Sequence, residues 1–216
     1  SGDEVNVSAI KQHFISIDPR VKVSALANLL RGHAASKAII FARTKYGADR
    51  LAGFLHRLGF DAVALHGNLS QNSRDRAMDH FEDGKAQVLV ATDLASRGLD
   101  IDDVQIIVNY DLPVDERVYL HRIGRTGRAG ATGEAFSFVT NLEEIRSIKS
   151  WAQRIGAQIA EAQADVRKAD FIRPAKESEV REHGRGRPFG GRGGGRFGSG
   201  GFRGGAAAIW AAVAPR

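Results

Sequence analysis

The sequence contains no cysteine in 216 residues, so it can form neither a disulfide framework nor a thiolate metal site. That absence fits an intracellular, cytoplasmic protein. No apolar run approaches the length of a membrane span, and Ser1–Ile10 does not have the make-up of a secretory leader. The chain does not begin with methionine and reads as a piece of a longer protein. A phosphate-cradling loop of the form G-x-x-x-x-G-K-[ST] is also missing. Gly84-Lys85 is followed by Ala86, and Asp79 stands where the first glycine would be needed.

What is present suffices for a sizeable core. Hydrophobic residues make up 43% of the chain, enough for one full domain with an appendage or for two small domains. Charge is unevenly placed. Residues 171–216 hold nine of the 31 Lys+Arg and three of the 25 Asp+Glu, which leaves 22 of each sign in the rest. A neutral body with a basic tail suggests an anionic polymer as partner, most simply nucleic acid.

Along the chain, short apolar strands alternate with amphipathic helices. Ile10–Ile17 reads as a strand and Val21–Arg31 as a helix; Lys37–Ala42 is followed by a helix over Tyr46–Leu58, and Asp61–His66 by one over Ser70–Phe81. Gln87–Thr92 leads into a turn at Asp93–Gly98, Val104–Tyr110 into an arginine-rich helix, and Ala135–Thr140 into a helix over Glu143–Ile155. Near-continuous apolar strands in such alternation predict an α/β fold with a mostly parallel sheet covered on both faces.

Ligands of such sheets bind beyond the carboxyl ends of the strands. The polar clusters fall there: Arg43-Thr44-Lys45, Gly67-Asn68, Thr92-Asp93, and Asp111. Thr44 and Ser70 are expected N-caps, which would open helix N-termini beside these clusters. Any one cluster alone is an ordinary turn; several on one rim point to a shared site.

The stretch Val118–Gly130, VYLHRIGRTGRAG, places Arg122, Arg125 and Arg128 three residues apart. On a helical backbone they would project from roughly the same side. Gly124 and Gly127 strip bulk from between them, so a ligand or another surface could approach closely. Permanently charged, fork-shaped guanidinium groups suit phosphate and carboxylate oxygens. The plainer alternative is a solvated basic helix face.

From about Ala164 the pattern degrades. His183–Gly205 holds 12 of the 25 glycines, five arginines and three phenylalanines, and cannot bury a core. Arginine charge, phenylalanine stacking faces and glycine reach are the composition of loose single-strand-binding segments. The closing AAAIWAAVAPR is apolar and too short to span a bilayer, and no function attaches to it. The expected organisation is a domain over 1–163, a linker or extension over 164–182, and a disordered Gly/Arg-rich tail over 183–216.

Four stretches, AIIFARTK at Ala38–Lys45, LHGNLSQNSR at Leu65–Arg74, ATDLASRGLDI at Ala91–Ile101 and YLHRIGRTGRAG at Tyr119–Gly130, occur in this order and spacing. Together they resemble the second, C-terminal RecA-like domain of DEAD-box ATP-dependent RNA helicases. The resemblance covers about Ile10 to Ile155 and implies a RecA-like three-layer sandwich. It implies that Arg125 and Arg128 are arginine fingers for the γ-phosphate of ATP, and that Gly98 and Asp100 lie on the nucleotide side. Arg43, Thr44, Gly67, Gln71, Arg74, Thr92 and Asp93 match positions lining the RNA backbone. Arg97, His121 and Arg122 match positions facing the partner domain.

No residue of the chain is expected to ligate a metal. No Asp-Glu-Ala-Asp segment occurs, so ATP and Mg2+ would be held mainly by an N-terminal RecA-like domain of the same parent. By this reading the chain alone would be inactive, with RNA as polymer partner and no membrane contact. A non-catalytic RNA-binding or regulatory module and half of a DNA helicase remain open alternatives.

Overall fold

A computed structural model describes residues 7–33, 36–96, 101, 104–127 and 131–166, which belong to one compact unit. Strands β1 (Ile10–Ser16), β2 (Ala38–Phe41), β3 (Ala62–Leu65), β4 (Val88–Ala91), β5 (Ile106–Asn109), β6 (Gly133–Val139) and β7 (Ile159–Glu161) form one sheet. Its order is β3-β4-β2-β5-β6-β1-β7, and every pairing is parallel. The helices are α1 (Lys22–Gly32), α2 (Lys45–Arg57), α3 (Gln71–Glu82), the short α4 (Asp93–Ser96), α5 (Glu116–Ile123) and α6 (Leu142–Arg154).

The three layers follow from the two-residue period of a strand. Ile39, Phe41, Leu89, Ala91 and Ile107 point to one face, where Phe81 of α3, Tyr119 and Ile123 of α5, and Ile148 and Trp151 of α6 cover them. Ala38, Ile40, Val88, Val90, Ile106 and Val108 point to the other, under Leu26 and Leu30 of α1 and Leu51 and Leu55 of α2. Central strands apolar on both faces cannot sit at a solvated sheet surface. The chain is therefore α/β, with the RecA-like layered architecture.

Three elements differ from the sequence reading. The segment after β4, expected as a turn at Asp93–Gly98, forms the one-turn helix α4 over Asp93–Ser96. Strand β7 was not anticipated, because its three residues are half-exposed on an edge and carry no long apolar run. The arginine stretch is helical only as far as Ile123. Gly124 closes α5 as its C-cap, and Gly127 takes a left-handed φ of 69°. Arg122 thus lies on a helix and Arg125 in the turn after it, so they do not share one helical face. Arg128 lies outside the described residues, as do Arg97, Gly98 and Asp100 and the whole 183–216 tail. The chain beyond the expected boundary at 163 still touches the domain: Ala164 packs on the α1–α2 side, and the Asn28 amide donates to the Asp165 carbonyl.

Candidate functional site

Because β3, β4, β2 and β5 are neighbours and parallel, the segments leaving their carboxyl ends open on one rim. After β2 the chain enters α2 through Thr44, whose hydroxyl accepts from the Gly47 N–H at 3.0 Å. After β3 it passes Gly67 and Asn68 to Ser70, which caps α3 by accepting from the Ser73 N–H at 3.3 Å. Both anticipated caps are present.

The rim segments are tied to one another. The Lys45 ammonium donates to the Asn68 side chain at 3.0 Å, joining the β2 and β3 exits. The Arg43 backbone N–H donates to the Asp111 carboxylate at 2.9 Å, joining β2 to β5. The other oxygen of that carboxylate takes the Lys22 ammonium at 3.0 Å. Arg74, on α3, reaches the Ala95 carbonyl of α4 at 3.4 Å. A Cβ placed on Gly67 would come within 3.8 Å of Leu94, so the β3 and β4 exits also lie side by side.

Arg43, Thr44, Gly67, Arg74, Thr92 and Asp93 therefore share one rim. Gln71 is on α3, with its amide donating to Asp75 at 2.7 Å. His66, at the same edge, is buried and bonded to Asp49 at 2.7 Å, a packing role.

Arg122 is the clearest departure from a surface reading. It is 3% exposed and makes four hydrogen bonds. Nε and Nη2 form a fork on the Asp93 carboxylate at 2.6 and 2.8 Å, and Nη1 donates to Asn109 at 3.0 Å and to the Asp111 carbonyl at 2.7 Å. The guanidinium also lies 4.9 Å from the centre of the Phe41 ring. A planar fork with five donors suits such a pocket, and lysine could not fill it. The expected outward contact for Arg122 gives way to an internal one: it clamps the exits of β4 and β5 together. His121, one residue earlier, is exposed.

The clamp continues inward through polar side chains. Asn109 donates to Ser137 at 3.0 Å, and the buried Tyr119 hydroxyl donates to Gln12 at 2.8 Å. Burial pushes the Tyr119 phenol well above its usual range, against a smaller opposing contribution from Ser137. Tyr110, beside Asp111 and Lys22, is pushed up to about 12, chiefly by burial.

Arg125 follows α5 in a turn anchored by Thr126. The Thr126 hydroxyl donates to the Val104 carbonyl at 2.5 Å, next to Gly133, whose missing Cβ leaves the room it needs. Sequence reasoning missed Lys22 and Asn109, since their value lies in cross-strand pairing that depends on strand order. Lys45, Asn68 and Asp111 stood in the polar clusters but without an assigned role.

A parallel sheet with these loops on its carboxyl rim, followed by an arginine turn, can be set against known proteins. The helicase conserved C-terminal domain profile matches residues 21–130. The chain belongs to this family, in its DEAD-box branch.

The ATP-dependent rRNA helicase rrp3 of Sclerotinia sclerotiorum is 41% identical over 182 residues, covering 83% of this chain and 37% of that protein. The DEAD-box ATP-dependent RNA helicase CshA of Bacillus subtilis is 44% identical over 153 residues, 70% of this chain and 31% of that protein. The chain thus spans about a third of the length of these relatives. Among solved structures, the C-terminal domain of the DEAD-box protein Dbp5 superposes with a TM-score of 0.69 at 36% identity, over 73% of this chain and 92% of that one. Saccharomyces cerevisiae Dbp5 bound to RNA and ADP-BeF3 gives 0.69 at 37% identity, over 75% and 44%.

Proposed function

We propose that this domain is the second half of an ATP-dependent RNA helicase, supplying arginine fingers and half of an RNA-backbone track for duplex unwinding or remodelling. The observation that carries the reading is the cross-bonded rim, on which Thr44, Gly67, Arg74 and Thr92 stand together in a domain whose arginine turn follows α5. Its hydroxyls, backbone N–H groups and cations address phosphate and ribose rather than base edges, which makes recognition largely independent of sequence. Contacts to the ribose 2′-OH favour RNA over DNA.

In the proposed reaction Arg125 and Arg128 meet the negative charge that builds on the transferring phosphoryl group, and Gly98 and Asp100 border the nucleotide. Arg97 and His121 face the partner domain. Arg122 acts one step back, holding Asp93 and the β5 exit in place. The donor set on this side is cationic and fits phosphate oxygens. Mg2+ and most of the ATP contacts fall to the N-terminal RecA-like domain of the same parent. Among the described residues no helix is long and apolar enough to cross a membrane.

The test is RNA-stimulated ATP hydrolysis by this chain alone and after joining to an ATP-holding first domain. The chain alone should show none. In the joined protein, Arg125→Ala should lower turnover by about 10³-fold or more while RNA affinity changes less than about twofold, since a finger acts on charge that exists only during transfer. Equal losses in both would remove Arg125 from the finger role, and turnover by the chain alone would overturn the half-motor reading.

A further inference from the structure

Helix α2 carries more than the N-cap that joins it to the rim. Its buried residues are Ala48, Leu51, Ala52, Phe54 and Leu55, with the Phe54 ring at the border of the buried face. A second stripe, Tyr46, Arg50, Phe54 and Arg57, runs at helical spacing along the same helix. Tyr46 stands directly after Thr44-Lys45 and is 74% exposed, a large aromatic surface left in water at the edge of the track. The Lys45 ammonium sits 5.3 Å from its ring centre, and the same ammonium is bonded to Asn68. One turn on, the exposed Arg50 guanidinium rests 5.3 Å from the Phe54 ring, and Arg57 rests 4.6 Å from the same ring. Neither guanidinium is paired with a carboxylate among the described residues, and the adjacent Asp49 is held by His66.

The stripe thus offers an exposed aromatic face followed by two planar cations beside the buried Phe54 ring, with no carboxylate partner among the described residues. A polyanion matches the charge. The exposed tyrosine and the flat guanidinium groups match planar bases as well, which an acidic peptide would not use. The stripe also starts where the track's Thr44 ends.

We propose that the Tyr46–Arg50–Arg57 face of α2 continues the RNA path beyond the strand rim, with Tyr46 stacking on an unpaired base and the two arginines holding the phosphates that follow. This rests on the RNA-track reading of the rim and adds to it a base-stacking subsite that backbone contacts do not provide.

The experiment is binding of the full chain to a single-stranded oligo(A) and to an abasic ribose-phosphate strand of equal length, across a salt series. Tyr46→Ala should weaken oligo(A) binding by about tenfold, leave the abasic strand within about twofold, and be rescued by Tyr46→Phe. Replacing Arg50 and Arg57 together by Gln should lower the salt slope for both strands by about 1.4, at roughly 0.7 per single-strand phosphate. A Tyr46→Trp reporter should be quenched by oligo(A) and not by the abasic strand.

Equal losses on both strands, no loss on oligo(A), or equal competition by poly-aspartate would overturn the proposal. Arg74→Ala, on the rim and away from α2, separates the two readings. If it weakens both strands while Tyr46→Ala weakens neither, the track stands and the α2 subsite falls. If Arg74→Ala changes nothing while Tyr46→Ala acts as expected, the subsite stands and the rim track falls.

Discussion

At the scale of single residues, the decisive feature is that Arg122 is enclosed while His121 beside it is exposed. Asp93, Asn109 and the Asp111 carbonyl all converge on one guanidinium, so removing it leaves the buried Asn109 amide and the partly exposed Asp93 carboxylate without their shared partner. Breaking a fully buried ion pair from one side costs about 3–5 kcal/mol, which is an upper bound here because water reaches Asp93. Arg122→Ala should lower the free energy of unfolding by up to that amount in urea titration. Arg122→Lys retains the charge without the fork and should still lose about 1–3 kcal/mol. Near-wild-type stability of both variants would show that the clamp contributes little.

The sequence marked Arg122 and Asp93 as important but gave them separate outward roles. Their partnership depends on β2 being inserted between β4 and β5, and chain order gives no sign of that. Tyr46 shows the opposite case: it stood in plain sight at a strand exit, and only its exposure in the folded domain gives it meaning.

At the scale of elements, most of the architecture was legible because the apolar strands and amphipathic helices repeat with two clean periods. The end of α5 was harder, since Gly124 and Gly127 suit either close approach or helix termination. The structure uses them to terminate, and the tight turn that follows depends on a third glycine. A Cβ at Gly133 would lie 2.1 Å from the Thr126 hydroxyl and 2.8 Å from its Cβ. That hydroxyl is already fixed to the Val104 and Gln105 carbonyls, so the short side chain cannot swing away cheaply. Gly133→Ala should therefore destabilise the domain by about 1–3 kcal/mol, the usual cost of overpacking, and displace the turn that carries Arg125. In the joined two-domain protein, its ATP turnover at a temperature where it remains folded should fall more than its RNA affinity. Thermal unfolding and turnover together check this, and an unchanged melting point would mean that Thr126 has room to move.

At the scale of the whole molecule, the relevant quantity is the separation of charge from fold. The body upstream of residue 171 carries 22 acidic and 22 basic residues, whereas 183–216 has six arginines and no acidic residue. A net-neutral body would bind a polyanion through positioned cations, the role proposed for those on the rim and on α2, and such a short path offers few phosphate contacts. The tail needs no fixed geometry to attract phosphates, and its phenylalanines add stacking surface. Six arginines engaging single-stranded RNA set an upper bound of about 4 on the tail's share of the salt slope, at roughly 0.7 per phosphate. Deleting 183–216 should therefore weaken RNA binding and reduce the slope by about 2–4. The remaining slope should be small and sensitive to Arg50, Arg57 and Arg74, as expected of a short structured path. An unchanged slope after the deletion would assign the phosphate contacts to the folded domain and reduce the tail to a spacer. In that case the neutral body would have to concentrate its cations on one face far more strongly than its composition suggests.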